Sequence, residues 1–300
     1  MAVAILSVGE AITDVVHRAG GTEEFSGGSP LNVAVGLARL GREVSLLTAI
    51  GDDERGRAIT THLDTAGVEL APGSLSGYPT STSQATIGAD GAASYRFDIH
   101  WSFPEDREPA FGMVHVGSVG AFVEPGGSGV ERFVEASAAV GAVVSFDPNV
   151  RPAIFGSQPA AVARFERIAG NATVVKLSDE DAAWLYPHDA PEAVLDSLVS
   201  RGVSLAVLTR GSHGAVLRTS EHSIVVPAAA TSVVDTIGAG DSFMAALLYQ
   251  LARQLDAGSG EPLDLSYERV LELGRFSVQC ASICVARPGA DPPFLGDLSH

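Results

Sequence analysis

The sequence predicts an α/β fold: a doubly wound, mostly parallel sheet with helices on both faces and a small β-sheet lid. Three observations carry this. Short, continuous apolar runs recur along the 300 residues. Segments of helical periodicity, several closed by a glycine, separate those runs. One alternating stretch, 80–103, breaks the rhythm.

The first run, 2–8, is apolar, partly β-branched and closed by Gly9, as suits a strand buried on both faces. Similar runs lie at 44–50, 113–116, 142–146, 172–175 and 205–208. Helical spacing covers 31–40, 55–66, 129–140 and 194–201. These helices stop at Gly41, Gly67, Gly141 and Gly202, where a left-handed C′ residue is expected. From Thr80 to Phe103 the chain reads TSTSQATIGADGAASYRFDIHWSF, two strand-like arms around the turn signal Ala89-Asp90-Gly91. The segment 12–25 supplies a second strand pair. The lid is therefore assigned to inserted segments at about 12–27 and 80–110 of a single domain, 1–300. Tyr95, Phe97 and Trp101 are candidates for packing within the hairpin, against a sugar or against a partner's lid. Arg96 alternates with Tyr95 and Phe97, and it is a candidate to reach substrate from the other face.

A composition of 46% hydrophobic and 18% charged residues is that of a globular chain. The formal net charge of −17 argues against a broad nucleic-acid-binding surface, which needs clustered cations. It leaves room for an anion held by a few local cations, a metal or helix dipoles. The N-terminal MAVAILSVGE has no basic segment and a short apolar run, so neither a signal peptide nor a membrane span is expected, and a cytoplasmic location is. Cys280 and Cys284 read as buried apolar side chains rather than a disulfide or zinc site. The eight histidines show no ligand spacing. The sole lysine, Lys176, follows the run 172–175, at the ligand-binding edge of a parallel sheet, where a compact ammonium could reach nucleotide phosphates.

The segment with chemical content is Val234-Asp-Thr-Ile-Gly-Ala-Gly-Asp-Ser-Phe243. A strand-like approach ends at Asp235, a glycine-rich turn follows, and an apolar helix covers 243–255. The backbone N–H groups of Gly238, Ala239 and Gly240 then lie at a helix N-terminus, which is an anion hole. Asp241 falls in the first turn. It acts either as a base that takes a proton from a nucleophile attacking the anion, or as a helix cap. A Walker A loop is excluded, because the sole lysine lies in Val175-Lys-Leu-Ser178. A dinucleotide fingerprint is excluded by Phe243.

Asp235-Thr-Ile-Gly-Ala-Gly-Asp241 resembles the C-terminal signature of the PfkB (ribokinase-like) family of carbohydrate kinases. Gly27-Gly28-Ser-Pro-Leu-Asn32-Val-Ala34 resembles its N-terminal signature. Gly51-Asp52-Asp53 with Gly56, Phe146-Asp-Pro-Asn-Val-Arg151, Lys176-Leu-Ser-Asp-Glu-Asp181, Thr209-Arg-Gly211 with Gly214, and Arg287-Pro-Gly-Ala290 follow in order. The resemblance implies a ribokinase-like fold and ATP-dependent phosphorylation of a sugar's primary hydroxyl, with Mg²⁺. It implies that Asp241 is the base and that Gly238, Ala239 and Gly240 stabilise the transferring phosphoryl group. Asp14, Gly27, Gly28 and Asn32 would hold the sugar, and Arg151 would face the sugar or the phosphates. Thr209, Gly211 and Gly214 would line the nucleotide site, with Asn149, Lys176 and Ser178 near the phosphates. Asp181 would meet Mg²⁺ through water, with Glu180 as the competing candidate. Asp235 and carbonyls at Ile237, Cys284 and Gly289 would hold a monovalent cation such as K⁺. The chain departs from the family's Asn-x-x-Glu at Ser178-Asp-Glu-Asp181, and it has Pro293 where some members place a cation-binding serine. Fructokinase-like members resemble it best, which implies D-fructose as substrate. The alternatives are 2-keto-3-deoxygluconate, ribose, or a non-catalytic sugar or nucleotide sensor. The implied partners are small molecules and, through the lid, a second copy of the chain.

Overall fold

The structure is a computed structural model. It describes residues 2–18, 21–87, 93–104, 107–229, 231–258 and 262–298. The strands are β1 (Ile5–Val8), β2 (Ile12–Arg18), β3 (Gly21–Gly27), β4 (Val44–Leu47), β5 (Ile50–Gly51), β6 (Glu69–Leu70), β7 (Leu75–Ser76), β8 (Thr82–Ile87), β9 (Ala93–Asp98), β10 (Met113–Gly117), β11 (Val143–Asp147), β12 (Val174–Ser178), β13 (Leu205–Thr209), β14 (Ala215–Arg218) and β15 (Ser223–Val226). The helices are α1 (Ser29–Arg39), α2 (Glu54–Ala66), α3 (Ser118–Phe122), α4 (Gly126–Ala139), α5 (Pro152–Phe155), α6 (Gln158–Ala169), α7 (Asp179–Leu185), α8 (Pro191–Ser200), α9 (Ala239–Ala257) and α10 (Tyr267–Val285).

Among the described residues, nine strands form the main sheet in the order β15-β14-β13-β12-β11-β10-β1-β4-β6. All its pairings are parallel except β13–β14 and β14–β15. Each central strand is buried along its length, because helices cover both faces. One core gathers side chains of α1, α2, α9 and α10, and the other those of α4, α6 and α8. The chain winds from β1 outward to β4 and β6, then returns to place β10 on the other side of β1. The gap between β1 and β10 is therefore the switch point, outside which such sheets form their ligand clefts.

The lid is a separate four-stranded sheet, β3-β2-β8-β9. The β2–β3 and β8–β9 pairs are antiparallel, and β2–β8 is parallel. The predicted turn Ala89-Asp90-Gly91 lies outside the described residues, as does the side chain of Tyr95. Asp53 joins lid to body. Its carboxylate caps α2 at Gly56 N (2.8 Å) and accepts from Thr80 N (2.8 Å) and Thr80 Oγ1 (2.7 Å) at the start of the hairpin.

Gly41, Gly67, Gly141 and Gly202 all adopt positive φ (89°, 79°, 82° and 105°), as their places after helices predict. Three readings need correction. The run 44–50 is two strands, since the main-sheet ladder ends at Leu47 and Ile50 pairs with Leu75. The run 172–175 marks a strand that continues to Ser178, so Lys176 lies inside β12. Trp101 is 4% exposed and its Nε1 donates to Gly120 O (2.8 Å), so it is a core side chain. Among the described residues no helix is long and apolar enough to cross a membrane.

Candidate active site

The C-terminal ends of β1, β10, β11 and β12 open into a cleft of about 460 Å³, lined also by the starts of α1 and α9 and by Phe97 and Ile99 of the lid side. That is the size range of a small-molecule site. At its centre stands Asp241, 8% exposed. Asp241 does not cap α9: the N-cap is Gly238, and no side chain caps that helix. Instead its carboxylate turns to α1. Ser29 Oγ donates to Oδ1 (2.6 Å) and Asn32 Nδ2 donates to Oδ2 (2.8 Å).

The turn before α9 requires glycine. Gly238 has φ 75°, and a Cβ there would lie 2.6 Å from the Ala290 Cβ. Gly240 faces Lys176, whose Nζ would be 3.2 Å from a Cβ at that position. Of the three expected donors, Ala239 N–H is directed to Thr236 O (3.3 Å). The N–H of Gly240 precedes any acceptor within α9 and stays at the positive end of its dipole.

Lys176 is 4% exposed, and its Nζ donates to Asp147 Oδ2 (2.6 Å). Burial works against the ammonium, but Asp147, Asp181 and Asp241 more than offset it, so its pKa is raised. Lys176 is thus not a solvent-facing cation after a strand. It is a fixed charge beside Gly240 that lines the floor of the cleft.

Ser178 and Asp181 form a capping box on α7. Both Asp181 oxygens hold backbone N–H groups, those of Val150 (2.7 Å) and Ser178 (2.8 Å). Asp181 therefore ties the end of β11 to the start of α7, and Glu180 is the neighbour that lines the cleft. Asn149 lines it too, in the left-handed region (φ 37°). Arg151 does so with an exposed side chain whose Nη1 donates to Val150 O (3.1 Å).

Asp14, Gly28 and Asn32 all reach the cleft. Burial raises the Asp14 pKa, opposed by Ser83 and by the Arg151 charge. Gly28 opens α1 at φ 115°, and a side chain there would run into the Glu10 carbonyl. Gly27 packs in the same way on the Asp14 carboxylate. Arg96 is not brought to the site: strand alternation points Phe97 to the cleft and leaves Arg96 exposed.

Thr209, Gly211 and Gly214 lie outside the cleft: Thr209 ends β13, where it pairs with Ser178, and Gly211 and Gly214 sit in the turn between β13 and β14. Gly214 packs on the backbone of 226–228, where the loop leading to the glycine turn before α9 begins. That loop exposes three apolar side chains, Val233 (65%), Val234 (60%) and Ile237 (61%).

The expected monovalent-cation ligands have other partners. Asp235 accepts from Ile237 N (3.0 Å) and Gly289 N (2.9 Å), which hold its pKa low. The Cys284 and Gly289 carbonyls accept from Arg287 N and Asp291 N, and Ile237 O faces the Cys284 thiol. These contacts clasp the two loops together, and each carbonyl oxygen that accepts one hydrogen bond keeps a second lone pair.

Two site residues were not legible in the sequence. Ser29 sits unremarked between the signature glycines and Asn32. Glu10, 4% exposed, lines the cleft and bridges the switch point, with Oε2 accepting from Gly120 N (2.8 Å). Burial pushes its pKa up to about 7, against hydrogen bonds from Ser118 and Gly120 and the charge of Arg151. The Gly9-Glu10 pair directly after a strand is the signal that could have found it.

The family description "pfkB family carbohydrate kinase" matches residues 2–295. A fructokinase of Rhizobium leguminosarum bv. trifolii is 31% identical over 260 residues, covering 82% of this chain and 79% of that one. Fructokinase-2 of Zea mays is 32% identical over 308 residues, covering 96% and 90%. The crystal structure of a Vibrio cholerae fructokinase in its fructose, ADP and calcium ion bound form superposes with a TM-score of 0.82 at 26% identity, covering 96% of this chain and 94% of that one.

Proposed function

Since the chain belongs to the pfkB family of carbohydrate kinases and is a phosphotransferase, we propose that it transfers the γ-phosphoryl group of ATP to the primary 6-hydroxyl of D-fructose. The observation that carries this reading is Asp241: a buried carboxylate in a polar cleft, beside the N-terminus of α9 and the Lys176 charge. The hydroxyl gives its proton to Asp241 as its oxygen bonds to phosphorus, and ADP leaves with the electron pair of the broken P–O bond. Charge on the transferring group meets the Gly240 N–H, the α9 dipole and Lys176, so catalysis is largely positioning and electrostatics.

Mg²⁺ belongs to this reading. Among the described residues no cluster of His, Cys, Asp or Glu would hold a metal unaided. That suits an ion which takes most of its ligands from nucleotide phosphates and water. Glu180 and Asn149 are the residues that would hold it, and when bound it neutralises phosphate charge. ATP would lie along Thr209, Gly211 and Gly214, with the base over the 233–237 loop. The reading includes a cytoplasmic enzyme and a homodimer through the lid, for which the exposed Phe25 (54%) on the edge strand β3 is the support.

Fructose is favoured over 2-keto-3-deoxygluconate by charge. Asp14, Asp147, Glu180 and Asp241 line the cleft against Arg151 and Lys176, and Lys176 is already paired with Asp147, so a neutral polyol suits it better than a sugar acid. A coupled ADP-release assay over fructose, ribose and 2-keto-3-deoxygluconate tests this, and fructose should give the highest kcat/KM. Turnover confined to another sugar would reject fructose. Asp241→Asn should lower kcat by about 10²–10⁴-fold while MgADP binding persists.

A further inference from the structure

Nothing in the resemblance gives Ser29 a role, yet it makes a short buried hydrogen bond to the carboxylate at the centre of the cleft. Ser29 opens α1 and is 6% exposed, and its hydroxyl donates to Asp241 Oδ1 at 2.6 Å. Asn32, one turn further along α1, takes Oδ2 at 2.8 Å. The two donors differ in what they can do. Asn32 has a second N–H and a carbonyl, so it can serve a sugar hydroxyl as well as the carboxylate. Ser29 has a single proton, already directed to Oδ1.

We propose that Ser29 is the positioning residue of the base: its hydroxyl fixes the rotation of the Asp241 carboxylate, so that one oxygen keeps a lone pair aimed at the incoming hydroxyl when Asn32 turns to the sugar. This rests on the reading of Asp241 as the base. A base oriented by a third group within hydrogen-bond reach is a recurrent arrangement in enzymes that activate a hydroxyl. Here the orienting group comes from a different helix. The packing of α1 on α9, tight at Gly36 and Ala245, sets the distance.

The test compares Ser29→Ala, Ser29→Thr, Asp241→Asn and the double variant Ser29→Ala/Asp241→Asn, using the sugar turned over fastest in the panel. Ser29→Ala should lower kcat by about 10²-fold, the cost of misplacing a catalytic group by roughly 1 Å. Its sugar KM, and its MgADP affinity by calorimetry, should stay close to wild type. Ser29→Thr, which keeps the hydroxyl, should restore most of the rate. In the double variant the Ser29 change should add nothing, because there is no base left to orient. If Ser29→Ala melts early, Ser29→Cys, nearly isosteric with a weak S–H donor, should show the same fall in kcat. Wild-type kcat in the alanine and cysteine variants, or a raised sugar KM with kcat intact, would overturn the proposal, the latter by making Ser29 a substrate contact. Near-normal turnover by Asp241→Asn would instead remove the base itself, so the two failures are distinguishable.

Discussion

Asp241, Ser29 and Asn32 show how far residue identity carries an argument. The Gly-Ala-Gly-Asp241 turn was legible because two glycines before an apolar helix have a physical meaning as an anion site. Whether Asp241 caps that helix or faces a substrate was not legible, because the answer depends on a helix some 200 residues earlier in the chain. Glu10 makes the same point with a measurable consequence. An exposed glutamate titrates near 4.5, and burial raises Glu10 to about 7. Between those values the folded chain keeps a proton that the unfolded chain releases. Its contribution to stability is therefore full below about 4.5 and is lost as pH rises through about 7. A shift of this size corresponds to about 3 kcal/mol. Urea unfolding of wild type and Glu10→Gln between pH 4.5 and 8 should show wild type losing about that much relative to the variant as pH rises. Parallel pH profiles would mean that Glu10 is not a buried acid.

Among the elements, the contact of α1 with α9 shapes the cleft, since it brings Ser29 and Asn32 of the N-terminal segment onto Asp241. Gly36 makes it close: a Cβ there would be 2.6 Å from the Ala245 Cβ and 3.6 Å from that of Pro292. Gly36→Val should overpack this contact, lower stability by about 1–3 kcal/mol and tilt Ser29 and Asn32 away from Asp241. A thermal melt with steady-state kinetics checks it, and the expected result is a lower Tm with kcat falling more than KM rises. Helix ends were legible, because glycine is the residue that adopts the left-handed C′ conformation without strain. The capping box at Ser178 and Asp181 was not anticipated. There the short polar residues that depart from the family pattern hold the α7 N-terminus, and the cleft is left to Glu180.

At the scale of the molecule, the lid is a small sheet whose strand β3 is largely exposed, and it reaches the cleft through residues such as Asp14, Ser83 and Phe97. Closure over bound ligands should slow hydrogen exchange in β2, β3, β8 and β9 when fructose and MgADP are both saturating. Strands β10 to β13, already buried, should change little. Unchanged lid exchange would argue against closure. The sequence by itself determined the α/β class, the alternation of strand and helix, the strands of the small second sheet and the glycine turn that opens α9, because each follows from local periodicity or glycine geometry. Strand order, the switch point between β1 and β10, the pairing of Lys176 with Asp147, and the turning of Arg96 away from the cleft were decided by tertiary structure. These depend on which distant segments pack together, and no local pattern in a chain encodes its partner across the sheet.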